Sequence, residues 1–352
     1  MKNKKWMIYG ANGYTARLIA EQARKRGLQP ILAGRNQAYI ESIAAQAGFD
    51  SRVFNLDDKA EINKALEGVS IVLHCAGPFS ATSQPMLEAC LAKACHYLDI
   101  TGEISVFANA YRQSDEARRA DIVLMPGVGF DVVPTDCLAA TLVKALPAAT
   151  SMALAFESGG RMSPGTAKTS VEGLASGGCV RQDGKLKWVP LAWKTREITF
   201  KHGKRLAVTI PWGDVFTAYI STGVPDIEVY MAAPPSTILR MKRLRMLKPL
   251  LSMQWVQNMM KRHIEKSVTG PELGERQNSQ MQLWGEVSSV DGRSVSATMT
   301  TPDGYDITVS ASLGIVEYLL EHDVEGGFYT PSLLMGADYV TNLPGVSMNL
   351  NA

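Results

Sequence analysis

Apolar residues in the first 125 positions come in short runs, and these alternate with stretches where they recur at helical spacing. Trp6–Tyr9, Pro30–Ala33, Val53–Leu56, Ser70–Cys75, His96–Ile100 and Ile122–Met125 read as strands. Between the first two, Thr15–Arg26 places Leu18, Ile19, Ala20 and Ala23 at helical spacing, and Gly27 is suited to ending that helix. Tyr39–Ala47, Ile62–Leu66 and Pro85–Ala94 read as further helices. Six short strands joined by helical crossovers predict an α/β fold, a Rossmann-type doubly wound parallel sheet.

The pattern changes after Pro126. Val128–Asp136 is broken by glycine and proline, and Cys137–Leu146 reads as a helix. From Ala153 onward strict alternation predominates, in Ile198–Phe200, in Leu206–Ile210 and in the pair Gly285–Val290 and Val295–Thr300. The last two flank Asp291-Gly292, a hairpin turn signal. The expectation is a second α/β domain with a mixed or antiparallel sheet. A chain of 352 residues exceeds what one compact core usually supports. The expected division is 1–130 as the dinucleotide-binding domain and 131–311 as a substrate and dimerisation domain. A segment from about 312 to 352, with Ser312–Leu320 as a helix, returns to the first.

Composition narrows the function classes. Hydrophobic residues at 46% and charged residues at 20% are ordinary for a folded soluble protein. A net charge of +2 gives no global attraction to nucleic acid, and none is expected as a partner. The five cysteines, Cys75, Cys90, Cys95, Cys137 and Cys179, include no Cys-x-x-Cys pair and have no His at zinc-ligand spacing. No metal site and no disulfide framework is expected. All but Cys179 lie in apolar surroundings, which suits a reducing cytoplasm. No run is long enough for a membrane span, and the N-terminus lacks signal-peptide character, so the expected location is cytoplasmic, with peripheral membrane contact open.

The turn after the first strand carries candidate chemistry. Gly10-x-x-Gly13-x-x-Ala16 lies between strand and helix, where small residues permit a tight turn and close backbone approach of a diphosphate. Asn12, Tyr14 and Thr15 belong to the same cofactor candidate; the alternative is a purely structural turn. Gly34-Arg35-Asn36 ends the second strand, with no acid between Glu21 and Glu41. An NAD site usually has a carboxylate there, whereas a guanidinium suits the 2′-phosphate of NADP(H). The alternative for Arg35 is a solvated loop cation. Asp57, Gly102 and Gly127, in loops after later strands, and Cys75-Ala76-Gly77-Pro78-Phe79, after the fourth, complete the cofactor-binding candidates.

Several of these segments occur together in one known family. Gly10–Thr15, Ala33–Arg35, His74–Phe79, His96–Glu103 and Pro126–Pro134 resemble the saccharopine dehydrogenase-like (saccharopine reductase) family and, within it, the trans-acting enoyl reductases. Gly165-Thr166 and Gly326–Pro331 resemble later family segments. The likeness is dense over residues 6 to 137 and thin beyond. Ala16 departs from the family's more frequent glycine but is small enough to pack in its place. The resemblance implies an NADP(H)-binding Rossmann domain, a second α/β domain inserted before a C-terminal return, and hydride transfer at a C=C or C=N bond. A short-chain dehydrogenase would need Tyr-x-x-x-Lys, and no tyrosine here has Lys four positions on.

Ionisable groups at carboxyl ends of the expected strands are the candidate catalysts. Glu103, Asp131 and Lys168 are named for that role, each with a structural alternative. Asp99 could cap a turn, Asp136 could be the N-cap of a helix beginning at Cys137, Tyr97 could point into the sheet, and Lys168 could be a surface cation. From Val229 to Ile264 there is no acid, and seven cations alternate with methionine, leucine and Trp255. Arg240–Lys266 could dock an acyl-carrier protein, lie on an anionic membrane, or pack as a helix with a solvated basic face. The leading expectation is NADP(H)-dependent reduction of a C=C bond in a small or carrier-bound acyl substrate by a homodimer. The alternatives are saccharopine-type C=N chemistry and a non-catalytic NADP sensor. Phe328–Val340 could serve either a dimer contact or the core.

Overall fold

The computed structural model describes residues 4–351. The chain divides into two compact units, 1–131 with 308–334, and 132–307 with 335–352.

In the first unit the elements run β1 (Lys5–Tyr9), α1 (Tyr14–Lys25), β2 (Pro30–Gly34), α2 (Gln37–Ala47), β3 (Ser51–Val53) and α3 (Lys59–Ala65). They continue with β4 (Val69–His74), α4 (Phe79–Lys93), β5 (His96–Asp99), α5 (Ile104–Arg112), α6 (Ser114–Arg119) and β6 (Val123–Met125). A late two-residue strand, β15 (Gly327–Phe328), completes a seven-stranded sheet in the order β15-β6-β5-β4-β1-β2-β3. Every pairing in it is parallel. Parallel sheets are covered on both faces, which explains why β2 is buried throughout and β1 from Trp6 onward. On α1, Ala16, Ile19, Ala20 and Ala23 are the buried residues. The order reverses at β1, with β2 on one side and β4 on the other, so the loops after these strands flank the switch point where such sheets bind ligands.

Three local expectations change. The third strand is Ser51–Val53 rather than Val53–Leu56, because its register places Val53 opposite Gly34 at the strand's end. The fourth helix starts at Phe79 and holds Pro85 inside it. Between β5 and β6 lie two helices where a loop is expected; Ile104, Val106, Phe107 and Ala110 form the buried face of α5.

The second unit begins with α7 (Val133–Ala145), β7 (Ala149–Ser158), α8 (Pro164–Ser176), β8 (Gly178–Gln182), β9 (Lys185–Val189), β10 (Thr195–Phe200) and β11 (Gly203–Thr209). It continues with α9 (Asp214–Thr222), β12 (Asp226–Ala232), α10 (Pro235–Leu244), α11 (Lys248–Leu251), α12 (Gln254–Ser267), α13 (Leu273–Gln277), β13 (Gln280–Ser289) and β14 (Ser294–Pro302). Its nine-stranded sheet is mixed: β7 pairs parallel with β12 and antiparallel with β13, and β13 turns into β14 through Gly292 at φ +86°. Gly285 lets α7 pack on this sheet, since a Cβ there would lie 2.7 Å from Leu142 Cδ1.

The segment expected to return at about 312–352 is divided. Residues 308–334 belong to the first unit, and 335–352 to the second, where β16 (Ser347–Asn351) pairs with β14. Within Phe328–Val340, Phe328 meets the Tyr111 ring edge-on and Val340 is fully buried, whereas Leu333 is exposed. Asp136 is not an N-cap. The helix starts at Val133 with Pro134 in its first turn, and buried Asp136 accepts a hydrogen bond from the Ser221 hydroxyl. Cys179 is buried, whereas Cys75 is the half-exposed thiol. Among the described residues no helix is long and apolar enough to cross a membrane.

Candidate cofactor and active site

The glycine turn is stitched to β2 and pressed against the loop after β4. Gly10 and Ala11 both donate to the Ala33 carbonyl, at 2.8 and 3.0 Å, and Gly13 donates to that of Gly10 at 2.8 Å. Gly10 has φ +82°, and a Cβ on it would fall 2.7 Å from Ala76 Cβ and 2.8 Å from Ala76 N. Only glycine satisfies both demands. Gly13 is the N-cap of α1 and makes no side-chain capping bond, so the helix N-terminus opens onto backbone alone. Tyr14 and Thr15 form its first turn, and Asn12 is exposed on the turn. An uncapped N-terminus behind a close-packed glycine turn suits an anionic diphosphate.

At the end of β2, Gly34 sits against Ile40, where a Cβ would meet Cδ1 at 2.9 Å. Arg35 is exposed. Asn36 is committed to α2, accepting from the Tyr39 N–H at 3.1 Å as its N-cap. Asp57 is exposed and accepts from Asn55 at 2.8 Å. The Tyr9 phenol donates to the Phe54 carbonyl, and burial pushes it up to about 12, with the Arg35 charge pulling it down and that of Asp57 adding to the rise. The Arg35 and Asp57 loops thus flank one tyrosine.

The loop after β4 carries Cys75, Ala76 and a cis Gly77–Pro78 bond. Cys75 N–H continues the β1 ladder to the Tyr9 carbonyl at 2.8 Å. Phe79 turns inward and meets the His74 ring edge-on at 5.4 Å. Two side chains here make contacts that no spacing in the sequence marks. His74 is fully buried and held neutral, its imidazole lowered to about 3 by burial. Its Nε2 donates to Thr82 Oγ1, whose own proton goes to the Ala76 carbonyl, and Nδ1 has no partner among the described residues. The second is Glu103, whose carboxylate accepts from the Phe79 and Ser80 N–H groups at 2.9 and 2.7 Å. Pro78 offers α4 no side-chain cap, so Glu103 caps it from across the loop and extends it toward Phe79.

This placement gives Glu103 a structural task. Glu103→Ala is expected to lower stability by about 2 kcal/mol, the scale of two hydrogen bonds to a charged group, read as a drop in urea midpoint. Glu103→Gln, which keeps one acceptor oxygen, is expected to lose about half of that. Equal midpoints for Glu103→Ala and wild type would refute the capping role.

After β5 and β6 the loops are organised by Asp99. Its buried carboxylate accepts from the Tyr97 hydroxyl at 2.7 Å, the Thr101 N–H at 2.9 Å and the Gly127 N–H at 3.0 Å. Burial raises it to about 6 against those three donors. Tyr97 points into the sheet and serves Asp99. The turn at Gly127, φ +75°, is close-packed: a Cβ would lie 2.6 Å from Phe107 Cζ. Phe130 N–H donates to Thr308 Oγ1 at 2.9 Å, fixing the segment that ends at Asp131. Asp131 lies over Gly102, where a Cβ would approach Oδ2 to 2.6 Å. Burial pushes its carboxyl up to about 8, and no described residue donates a hydrogen bond to it. Lys168 lies apart from these residues in sequence, half-buried on α8 in the second unit.

Glycine turn, open helix end and close-packed β4 loop together fit a dinucleotide, and residues 6–125 match the family model for the saccharopine dehydrogenase NADP binding domain. The matched residues all lie in the first unit. A saccharopine dehydrogenase-like oxidoreductase of Bos taurus is 21% identical over 150 residues, 37% of this chain and 35% of the relative. A Mycobacterium tuberculosis protein provisionally named a trans-acting enoyl reductase is 28% identical over 140 residues, 37% of this chain and 33% of its own. The matches thus span about a third of these curated relatives. Apo saccharopine dehydrogenase (L-Glu forming) from Saccharomyces cerevisiae superposes with a TM-score of 0.69 at 12% identity, covering 99% of this chain and 100% of the other. Homospermidine synthase of Legionella pneumophila, in complex with NAD, gives a TM-score of 0.69 at 10% identity over 99% and 92%. The fold is shared with both, and the first unit is a pyridine nucleotide-binding domain.

Proposed function

We propose that this chain is an NADP(H)-dependent oxidoreductase that reduces a C=C bond in an enoyl or related acyl substrate. The observation that carries the reading is the half-buried Asp131 carboxyl, which lies over Gly102 at the end of the loop after β6, in the unit that bears the dinucleotide turn. A bound nicotinamide would supply the hydride. Gly10, Gly13 and the first turn of α1 would hold the diphosphate, and Arg35 the 2′-phosphate. Asp131, its carboxyl raised to about 8, would hold a proton at neutral pH and would supply it to the substrate as general acid. The Asp99 latch on Thr101 and Gly127 keeps the two flanking loops in place.

Arg35 tests the cofactor choice. Arg35→Ser is expected to weaken NADPH binding about 10- to 100-fold, the scale of charge-assisted hydrogen bonds, and to leave NADH nearly unchanged. An equal loss for both nucleotides would remove the 2′-phosphate role.

The reaction is tested by following NADPH absorbance with an enoyl-thioester pool and, separately, with a keto acid plus amine. Consumption with enoyl thioesters alone is the expected result. Consumption only with keto acid plus amine would replace this reading with C=N reduction. The C=C reading is favoured by the 28% identity over 140 residues to the protein provisionally named a trans-acting enoyl reductase.

A further inference from the structure

The reaction leaves one feature of the second unit unexplained. Residues 229–264 contain seven cations and no acid. Arg240, Lys242, Arg243, Lys248 and Arg262 are exposed, and among the described residues none of them makes an ion pair.

A helix on the surface of a globular unit normally turns its apolar stripe inward. On α12, Val256 does so and is buried. Trp255, Met259, Arg262 and Lys266, spaced by four, three and four residues, fall on a different stripe, and that stripe is exposed. Trp255 is 62% exposed and Met259 57%. The preceding segment adds Met246 at 85%, with Leu247, Leu250 and Met253 also exposed. Tryptophan and methionine in line with cations, on the outward side of a helix, are arranged for an amphipathic, anionic environment.

We propose that this face docks on an anionic phospholipid bilayer. Trp255 and Met259 enter the headgroup layer while Arg262 and Lys266 of the same stripe meet lipid phosphates. A second copy of the chain would bring the same positive charge to the contact, which disfavours pairing this face with itself. A folded acidic protein would meet the cations but would need matched pockets for each protruding side chain. A fluid headgroup layer needs none. The proposal is independent of the reaction, since it concerns location and access to apolar substrate.

The test is co-sedimentation of the full chain with vesicles of phosphatidylcholine containing phosphatidylglycerol, and with phosphatidylcholine alone. Binding only to the phosphatidylglycerol vesicles, weakened by salt, is expected. Arg262→Glu with Lys266→Glu, and separately Trp255→Ser with Met259→Ser, are each expected to lower partitioning at least about tenfold. Far-ultraviolet circular dichroism and NADPH binding should stay unchanged. Folded wild type that sediments with neither vesicle, or variants that bind like wild type, would overturn the proposal. So would a concentration-dependent dimer lost on Trp255→Ser, or capture of an acyl-carrier protein through this face without vesicle binding.

Discussion

Asp131→Asn is expected to lower kcat about 10²- to 10⁴-fold, the contribution of a positioned general acid. NADPH affinity should change little, because asparagine keeps the shape of the side chain over Gly102. In wild type the carboxyl is raised to about 8, so the active, protonated form prevails below that pH. Activity therefore falls as pH rises through about 8, and the variant's residual activity lacks that limb. Stability follows the same sign. The native carboxyl, at about 8, holds its proton more tightly than the unfolded one, at about 3.9, so stability declines as pH climbs from about 4 to 8. In Asp131→Asn this part of the decline disappears, and urea midpoints across that range read it directly. A variant with wild-type kcat would remove Asp131 from the chemistry.

Gly10→Ala is expected to weaken NADPH binding about 100-fold. The added Cβ meets Ala76 Cβ at 2.7 Å and Ala76 N at 2.8 Å, and backbone on that side cannot swing away as a side-chain tip could. The positive φ adds about 1 kcal/mol or more of strain, so the turn shifts and carries the N-terminus of α1 away from the place where it would receive the diphosphate. Gly68→Ala is the companion measurement. Gly68 has φ +71° with nothing within 4 Å of its Cβ position, so it isolates the backbone cost. It should lose about 1 kcal/mol of stability and none of its NADPH affinity. Fluorescence titration of both variants separates the effects, and equal NADPH affinity in Gly10→Ala and wild type would refute the close-approach account.

The first unit was legible because its signals are local. Strand and helix periods, the Gly10–Ala16 turn and the absence of an acid after β2 all lie within a few residues of what they specify. Boundaries shifted where a distant group decided them. The α4 start depends on Glu103, 24 residues beyond Phe79, and no spacing rule links the two. Asp99 could be read as a turn cap, and it does accept from Thr101, but its hold on Gly127 is a pairing between loops. His74 was hidden differently: a histidine at a strand end carries no mark of its burial or of Thr82 beneath it. The α5 helix did have a mark, since Ile104, Phe107 and Ala110 keep helical spacing, but the glycine and threonine before it suggest a loop. The last strand pairs with β14 through alternation too short to register on its own.

The most direct measurement uses NADPH deuterated on its nicotinamide, incubated with an enoyl thioester and analysed by mass spectrometry of the saturated product. One deuterium on a carbon of the former double bond, with the second hydrogen drawn from solvent, is the expected result. A product without deuterium, or deuterium appearing only in an amine formed from keto acid plus amine, would contradict the account.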